Sequence, residues 1–487
     1  MTGFRSGNFQ FLRSFYYTYK RLSSDSRFFC IIFVCSDQSN QNQETDEEIL
    51  TIAYNMNSQF LISATTSGSG KTTVTLGLLR ALKNRNLKTQ PYKCGPDYID
   101  TKYHDLASGN KSINLDLFLS SEDHVKSIFA KHGFDKDVRV TEGVMGLFDG
   151  YDRMAGSSAN IAELIGMPVI LVINAKSMAY SAAALLYGFK NFYKGINVAG
   201  VIFNFVASES HYSFLKDACH DVGLEPLGYL PKNAEVEIPS RHLGLNIDEQ
   251  FVFDEFADKV AALVEKHINI DRLLKITTCA AIDYTSSKNI PADPVLNISV
   301  AYDEAFNFVY HENISKLKEI GNVTFFSPIK DKHLPKSDFL YLPGGYPELY
   351  LNELSSNKQM MEDIKNHAED GGKILAECGG MMYLSKSITD KDGKEYPMVG
   401  IFPQKATMEN MRLKLGYRSF CYAGREIKGH EFHYSRIADS PQNPSSETNI
   451  YTAKGVETET KLLRYKNVIA GYTHIYWADT DVLSLFA

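Results

Sequence analysis

No stretch of this sequence approaches the roughly 18 consecutive apolar residues that a membrane helix needs. The nearest is Phe28-Phe29-Cys30-Ile31-Ile32-Phe33-Val34-Cys35. Arg5, Arg13, Lys20, Arg21 and Arg27 precede it, but Ser36-Asp37-Gln38 is a poor small-residue cleavage site. An excess of positive charge is also missing: 51 Lys and Arg stand against 58 Asp and Glu, for a net charge of −7. This argues against a nucleic-acid partner. The seven cysteines (Cys30, Cys35, Cys94, Cys219, Cys279, Cys378 and Cys421) are scattered, and none forms a C-x-x-C pair or a metal-ligand spacing. That pattern excludes a disulfide framework and predicts a reduced, cytoplasmic context without a membrane partner. Internal repeats are absent too.

The chain does have length for two or three domains, and 44% hydrophobic residues with which to build their cores. Its organising stretch is Thr65-Thr66-Ser67-Gly68-Ser69-Gly70-Lys71-Thr72-Thr73. The apolar run Phe60-Leu61-Ile62 before it reads as a buried strand, and the spacing from Val74 to Leu82 reads as a helix. A strand, a small-residue turn and a helix N-terminus bearing Gly-Lys-Thr form a phosphate cradle. Turn N–H groups point inward, the helix dipole favours anionic charge, and Lys71 adds a point charge. Thr72 would place its hydroxyl on Mg²⁺. The usual pattern has glycine where this chain has Thr65. A Gly/Ser-rich loop of no special use would not need the flanking strand and helix.

Residues 1 to about 55 are not expected to join the fold. They end in the polar, acidic run Ser39 to Glu48, while Met56 stands where an α/β nucleotide-binding domain would begin. An untranslated upstream extension is preferred over a flexible appendage or a targeting segment. From Gln59, strands (Val138–Val140, Pro168–Ile173, Val198–Phe203) alternate with helices (Ser181–Phe192, His211–Val222, Asp254–His267). Near-continuous apolar strands between helices predict a doubly wound parallel sheet, with ligands at the strands' carboxyl ends. Residues 277–294 read as a linker between a first domain at 56–285 and a second at 295–487. The second alternation runs through Ile298–Tyr302, Ile314–Glu319, Phe339–Pro343, Gln359–Glu369 and Lys373–Ala376. After Gly393, mixed sheet and loops are expected.

Cys378 falls on a strand–turn–helix junction, Ala376-Glu377-Cys378-Gly379-Gly380-Met381. Such an elbow presents a nucleophile at the edge of a sheet, and a following helix N-terminus is expected to lower the thiol pKa. Backbone N–H groups at Gly344, Gly345 and Gly379 are candidates for an oxyanion hole. The base a cysteine needs is expected at His474, at a strand end in Ala470-Gly471-Tyr472-Thr473-His474. His430 and His433, three apart with no third ligand, read as structural or substrate-facing rather than as a metal pair.

These motifs together resemble the cobyrinate a,c-diamide synthase family. To the nucleotide loop and the elbow are added Lys93-Cys94-Gly95-Pro96-Asp97-Tyr98-Ile99-Asp100, Asn114-Leu115-Asp116, Glu142-Gly143-Val144-Met145-Gly146-Leu147-Phe148-Asp149-Gly150 and Arg241-His242-Leu243-Gly244-Leu245. Asp303 to Phe308, Leu342 to Glu348 and Gly429 to Ser435 complete the set, so the likeness spans about Met56 to Tyr476. The first domain is similar to dethiobiotin synthetase and the second to class I glutamine amidotransferases.

The resemblance implies a ligase that hydrolyses glutamine at Cys378, with His474 as base, and passes ammonia to the ATP domain. There a tetrapyrrole carboxylate would be phosphorylated by MgATP and amidated, at the a and c side chains of cobyrinate. It implies nucleotide contacts from Ser67, Gly68, Ser69, Gly70, Lys71, Thr72 and Thr73. Lys93 is expected on phosphate or substrate, and Asn204 as a reader of adenine. Mg²⁺ would be held by Thr72, Asp97 and Glu142, with Asp100 facing the phosphates and Asp149 near the substrate carboxylate. A homodimer is carried as an expectation. Class I amidotransferases often have Glu at the position of Tyr476, so the group that fixes the tautomer of His474 stays open. Nickel-sirohydrochlorin and hydrogenobyrinate remain alternative substrates. A P-loop ATPase switch or scaffold with an inactive glutaminase-like module is the alternative of a different class.

Overall fold

The run Phe60-Leu61-Ile62 lies within a longer central strand, Tyr54–Ala64, in a computed structural model of the chain. The structure describes residues 17–20, 28–32, 54–232, 252–280, 296–438 and 448–486. Successive side chains of the strand enter opposite cores. Leu61 packs with Leu171, Ile173 and the helix residues Phe129 and Ile161. Phe60 and Ile62 pack with Val74 and Leu78 of helix Lys71–Asn84 and Val260 of helix Phe253–His267. Burial on both faces explains the uninterrupted apolar run.

The first sheet runs in the order Ile113–Leu115, Thr89–Cys94, Val138–Glu142, Tyr54–Ala64, Val169–Asn174, Val198–Val206, Glu225–Pro231, all parallel. Order reverses beside the central strand, so the crevice at the carboxyl ends opens there. In residues 1–55, Phe28–Cys30 pair antiparallel with Tyr54–Met56, and Tyr17–Lys20 with Phe29–Ile32. The rest of that expected extension lies outside the described residues, as does the Arg241–Leu245 motif. The expected linker begins differently: Thr278–Ala280 form a strand antiparallel to Met56–Ser58, and Thr277 Oγ1 lies 2.8 Å from Ser58 Oγ. The polar composition that suggested a linker cannot distinguish a short edge strand.

The second sheet starts as a parallel stack, Gly321–Phe326, Leu296–Ala301, Phe339–Leu342, Lys373–Glu377, Val468–Gly471. It continues antiparallel through Glu457–Tyr465, Thr448–Thr452, Lys414–Tyr422, Arg425–His433 and His474–Ile475. The chain therefore carries two α/β domains, the second extended by the mixed sheet expected after Gly393.

The domains meet through an apolar cluster in which Tyr98, Phe118 and Leu119 of the first pack with Phe308, Tyr310 and Tyr476 of the second. Polar contacts flank it. Ser121 Oγ donates to Asp479 at 2.7 Å, and Tyr417 OH to Asp116 at 2.7 Å. Glu312 accepts from His132 at 2.7 Å and from Lys131 at 3.2 Å. His132, His311 and Glu312 are the one His/Cys/Asp/Glu group among the described residues close enough to share an ion. Lys131 already neutralises its carboxylate, which makes it a charged clasp between domains.

Candidate active site

The nucleotide loop is held open by its glycines. Gly68 and Gly70 take φ of 77° and 93°, the left-handed region that glycine enters without a Cβ clash. A Cβ on Gly70 would also fall 1.9 Å from Nδ2 of Asn204. Asn204 is buried, its Nδ2 donates to Ser69 O at 3.1 Å, and its Oδ1 accepts from Phe205 N at 2.9 Å. Its amide therefore braces the loop, a role the adenine-reading expectation did not include. Ser69 Oγ donates to Thr66 O at 2.9 Å, and Lys71 Nζ reaches over the loop to Met145 O at 2.6 Å. Burial lowers the Lys71 pKa, with Glu142 opposing.

Strand register brings the acidic residues to this loop. Lys93 and Ile62 both lie level with Glu142, on the two flanking strands. Thr72 Oγ1 donates to Glu142 Oε1 at 2.8 Å and lies 3.5 Å from Asp100 Oδ2. Lys93 is buried beneath both carboxylates, at 2.8 Å from Asp100 and 2.9 Å from Glu142. It neutralises the acids from below. Burial works against the Lys93 ammonium, but Asp100 and Glu142 raise its pKa on balance. Burial alone would push Glu142 up; Lys93 and a hydrogen bond from His104 hold it below the usual carboxylate range.

Asp97 turns aside from this cluster. Its Oδ1 accepts the N–H groups of Ile99 and Asp100 at 2.8 and 2.9 Å, and its Oδ2 is 4.0 Å from Lys93. Burial and the charge of Asp100 push its pKa up to about 6. Asp100, rather than Asp97, is the acid beside Thr72 and Glu142. Asp149 Oδ2 accepts from Gly146 N at 2.9 Å and shapes the loop next to Thr65. Two members had no role assigned from the sequence: His104, which no motif included, and Asn114, which entered only within Asn114-Leu115-Asp116. His104 Nε2 pairs with Glu142 Oε2 at 2.7 Å, fully buried. Its signal was the four-residue spacing from Asp100, which puts both on one helix face. Asn114 Nδ2 donates to Gly95 O and Asp97 O, both at 2.9 Å, and holds the acidic loop in place.

In the second domain Cys378 takes φ 47° and ψ −104° at the start of helix Gly379–Leu384. A non-glycine residue held there is strained, as a nucleophile elbow requires. Its N–H donates to Gly471 O at 2.7 Å. Three close approaches demand glycine. A Cβ on Gly380 would fall 2.1 Å from Leu342 O, one on Gly344 2.2 Å from Cε1 of His474, and one on Gly379 3.1 Å from Gly345 N. The N–H-bearing strand end and the elbow are thereby pressed together, with His474 against them. One expectation is corrected: burial pushes the Cys378 thiol up, with the charge of Glu348 adding to it and the Gly379 N–H opposing. A six-residue helix end does not offset removal from water.

His474 is buried, and burial with His430 and His433 lowers its pKa well below the ordinary value. Its Nδ1 has no hydrogen-bond partner among the described residues. The carboxylate beside it is Glu377, 4.0 Å away. Tyr476, in the place where glutamate was sought, instead meets His124 Nε2 across the domain boundary at 2.8 Å. His430 and His433 do not share a ligand position. The first stacks on His474 with its Nδ1 on Tyr310 OH at 2.9 Å, and the second stacks on Tyr472 with its Nδ1 on Ser435 O.

An elbow cysteine, with a buried imidazole packed on the neighbouring Gly344, fused to a nucleotide cradle on a parallel sheet, is the arrangement of a glutamine amidotransferase joined to a nucleotide-binding domain. Sequence comparison divides the chain in the same way. The CobQ/CobB/MinD/ParA nucleotide binding domain matches residues 60–245, and the CobB/CobQ-like glutamine amidotransferase domain matches residues 297–482. The cobyrinate a,c-diamide synthase of Caldanaerobacter subterraneus subsp. tengcongensis is 41% identical over 85% of this chain and 94% of its own length. That of Listeria innocua is 43% identical over 77% and 87%, and that of Methanocaldococcus jannaschii 39% over 85% and 95%. Chloroplast FtsY from Physcomitrella patens aligns with a TM-score of 0.29 and 14% identity over 42% of this chain and 65% of that one, a likeness that carries no argument. The chain belongs to the cobyrinate a,c-diamide synthase family, and it is a carbon–nitrogen ligase with glutamine as amido donor.

Proposed function

We propose that this enzyme amidates the a and c carboxylates of cobyrinate, using ATP and glutamine, in corrinoid synthesis. The observation that carries the reading is a cavity of about 930 Å³ between the two domains. Asp97 and Met145 line it on the nucleotide side, His430 and His474 on the glutaminase side, and Tyr151 and Tyr417 along its length. A large, flat, partly apolar polycarboxylate with two reacting side chains suits such a space.

The chemistry follows from the residues. His474 takes the Cys378 proton as Sγ attacks the glutamine amide carbon, and the N–H groups of Gly345 and Gly379 would donate to the oxyanion. The proton passes to the departing nitrogen, ammonia leaves, and water frees glutamate from the thioester. In the first domain the substrate carboxylate attacks the γ-phosphorus and ADP departs. Lys71 and the loop N–H groups stabilise the charge. Ammonia then displaces phosphate from the acyl phosphate. The hard oxygens of Thr72, Glu142 and Asp100 fit Mg²⁺, which would supply charge neutralisation on the phosphates; Asp97 stands one turn behind. A cytoplasmic location and a homodimer belong to the same reading, and light scattering tests the latter.

The deciding experiment is mass spectrometry of products after incubation with ATP, glutamine and each of cobyrinate, hydrogenobyrinate and nickel-sirohydrochlorin. Two successive exchanges of hydroxyl for amine on cobyrinate are expected. Amidation of another macrocycle alone moves the substrate assignment. ATP turnover without amide from any of them favours a nucleotide switch.

A further inference from the structure

Tyr98 stands between the two reaction centres. It belongs to the nucleotide domain, in the loop that carries Asp97 and Asp100, yet its ring is buried against the second domain. It stacks on Phe308 with centroids 5.3 Å apart and planes within 2°. It lies 5.3 Å from the ring of His474, 5.5 Å from that of His430 and 4.6 Å from that of Tyr310. Tyr98 also lines the same cavity as His474, Asp97 and Met145, whose carbonyl accepts from Lys71. One space thus touches the glutaminase base His474 and, from the first domain, Asp97 and the Met145 that Lys71 holds, and Tyr98 lines it too.

We propose that Tyr98 is the partition past which ammonia travels from Cys378 to the activated carboxylate, and that it decides whether the ammonia is delivered or lost. This inference rests on the glutamine-fed ligase reading above. The nitrogen leaves glutamine when the amide C–N bond breaks and the Sγ–C bond forms, and it takes the proton that His474 holds. It becomes an amide when its lone pair forms a C–N bond at the acyl carbon, phosphate leaves, and the excess proton goes to water. Between those events it must stay unprotonated, because ammonium has no lone pair to donate. An aromatic wall that excludes water keeps it so. Because Asp97 and Asp100 flank Tyr98 in the chain, occupancy of the nucleotide site and the position of the ring are mechanically linked. Glutamine hydrolysis and carboxylate activation would thereby be timed together.

The test is isotope competition in the full-length enzyme, with unlabelled glutamine and ¹⁵N-ammonium in the medium. In the wild type the product amide is expected to carry almost only glutamine nitrogen. In Tyr98→Ala the ¹⁵N fraction should rise severalfold and glutamate release should exceed amide formation. Tyr98→Phe, which keeps the ring, should restore the wild-type ratio. An unchanged isotope ratio and one-to-one stoichiometry in folded Tyr98→Ala overturn the proposal. Should that variant not fold, Tyr98→Leu takes its place with the same two outcomes. If the wild type makes no amide from glutamine at all, the ligase reading fails instead, which the same assay distinguishes.

Discussion

Glu377 Oε2 lies 4.0 Å from Nδ1 of His474, so the residue before the nucleophile presents the carboxyl group to its base. Tyr341 OH donates to that oxygen at 2.7 Å, and the N–H of Ile475 donates to the other at 3.0 Å. A carboxylate at this place would fix the imidazole tautomer and stabilise the imidazolium formed during attack. Burial pushes Glu377 up to about 8, against the pull of those two hydrogen bonds. The charged, helpful form is therefore gained as pH rises through about 8. Glutaminase kcat/KM should climb over that range. Glu377→Gln keeps the shape and should lose the climb, with a rate about 10²-fold lower. Ammonium-supported amidation should be unaffected. A variant with a wild-type pH profile removes Glu377 from the mechanism.

The two centres should fail independently. Cys378→Ala is expected to abolish glutamine-dependent amidation while amidation with added ammonium persists. Glu142→Gln should destroy amidation with either nitrogen source, because Thr72, Lys93 and His104 all converge on that carboxylate. It also leaves Lys93 buried with less compensation, at a cost of about 1–3 kcal/mol in stability. Paired assays with glutamine and ammonium, and thermal unfolding, check both.

Alkylation of Cys378 by iodoacetamide reports the thiol directly. Since burial raises its pKa, the thiolate fraction of the resting enzyme is small and grows about tenfold per pH unit. Site-resolved mass spectrometry, needed because Cys421 is exposed, should show the rate rising to pH 9 or so without a plateau. A plateau near neutrality would mean an ion-paired thiolate at rest.

The clasp at Glu312 should be visible in acid. Burial would raise its pKa, but His132, His311 and Lys131 depress it on balance. A carboxylate depressed by folding stabilises above its unfolded value, about 4.5, and loses that contribution as pH falls toward its folded one. The melting temperature of wild type should exceed that of Glu312→Gln at pH 7, and the gap should narrow progressively as pH falls below about 5. A gap independent of pH would show that the charge is not what holds the clasp.

What the sequence revealed was local in the chain. The nucleotide loop and the Cys378 elbow are each written in under ten consecutive residues, where backbone geometry itself demands glycine. What it concealed depends on register. Nothing near Lys93 announces that Glu142, 49 positions later, will sit level with it on the next strand. The sequence, which led to an expectation of phosphate or substrate for Lys93, held no sign of this buried counter-charge. The tautomer of His474 stayed open because its carboxylate was sought two residues downstream, whereas a parallel pairing of Glu377 with Gly471 brings it from the neighbouring strand. The thiol of Cys378 was read from the helix after it, and the surrounding core outweighed that helix.

Asp97 and Tyr98 are neighbours in the chain with allegiances to opposite domains. One insertion or deletion between Gly95 and Asp100 would rotate the ring away from His474 or the acids away from Thr72. A substitution elsewhere in the cavity wall leaves both placements intact, whereas a change in the length of this loop does not. A library of single-residue insertions along the chain should show a sharp minimum of tolerance there, and a glutaminase domain transplanted from a relative should work only beside a loop of that same length.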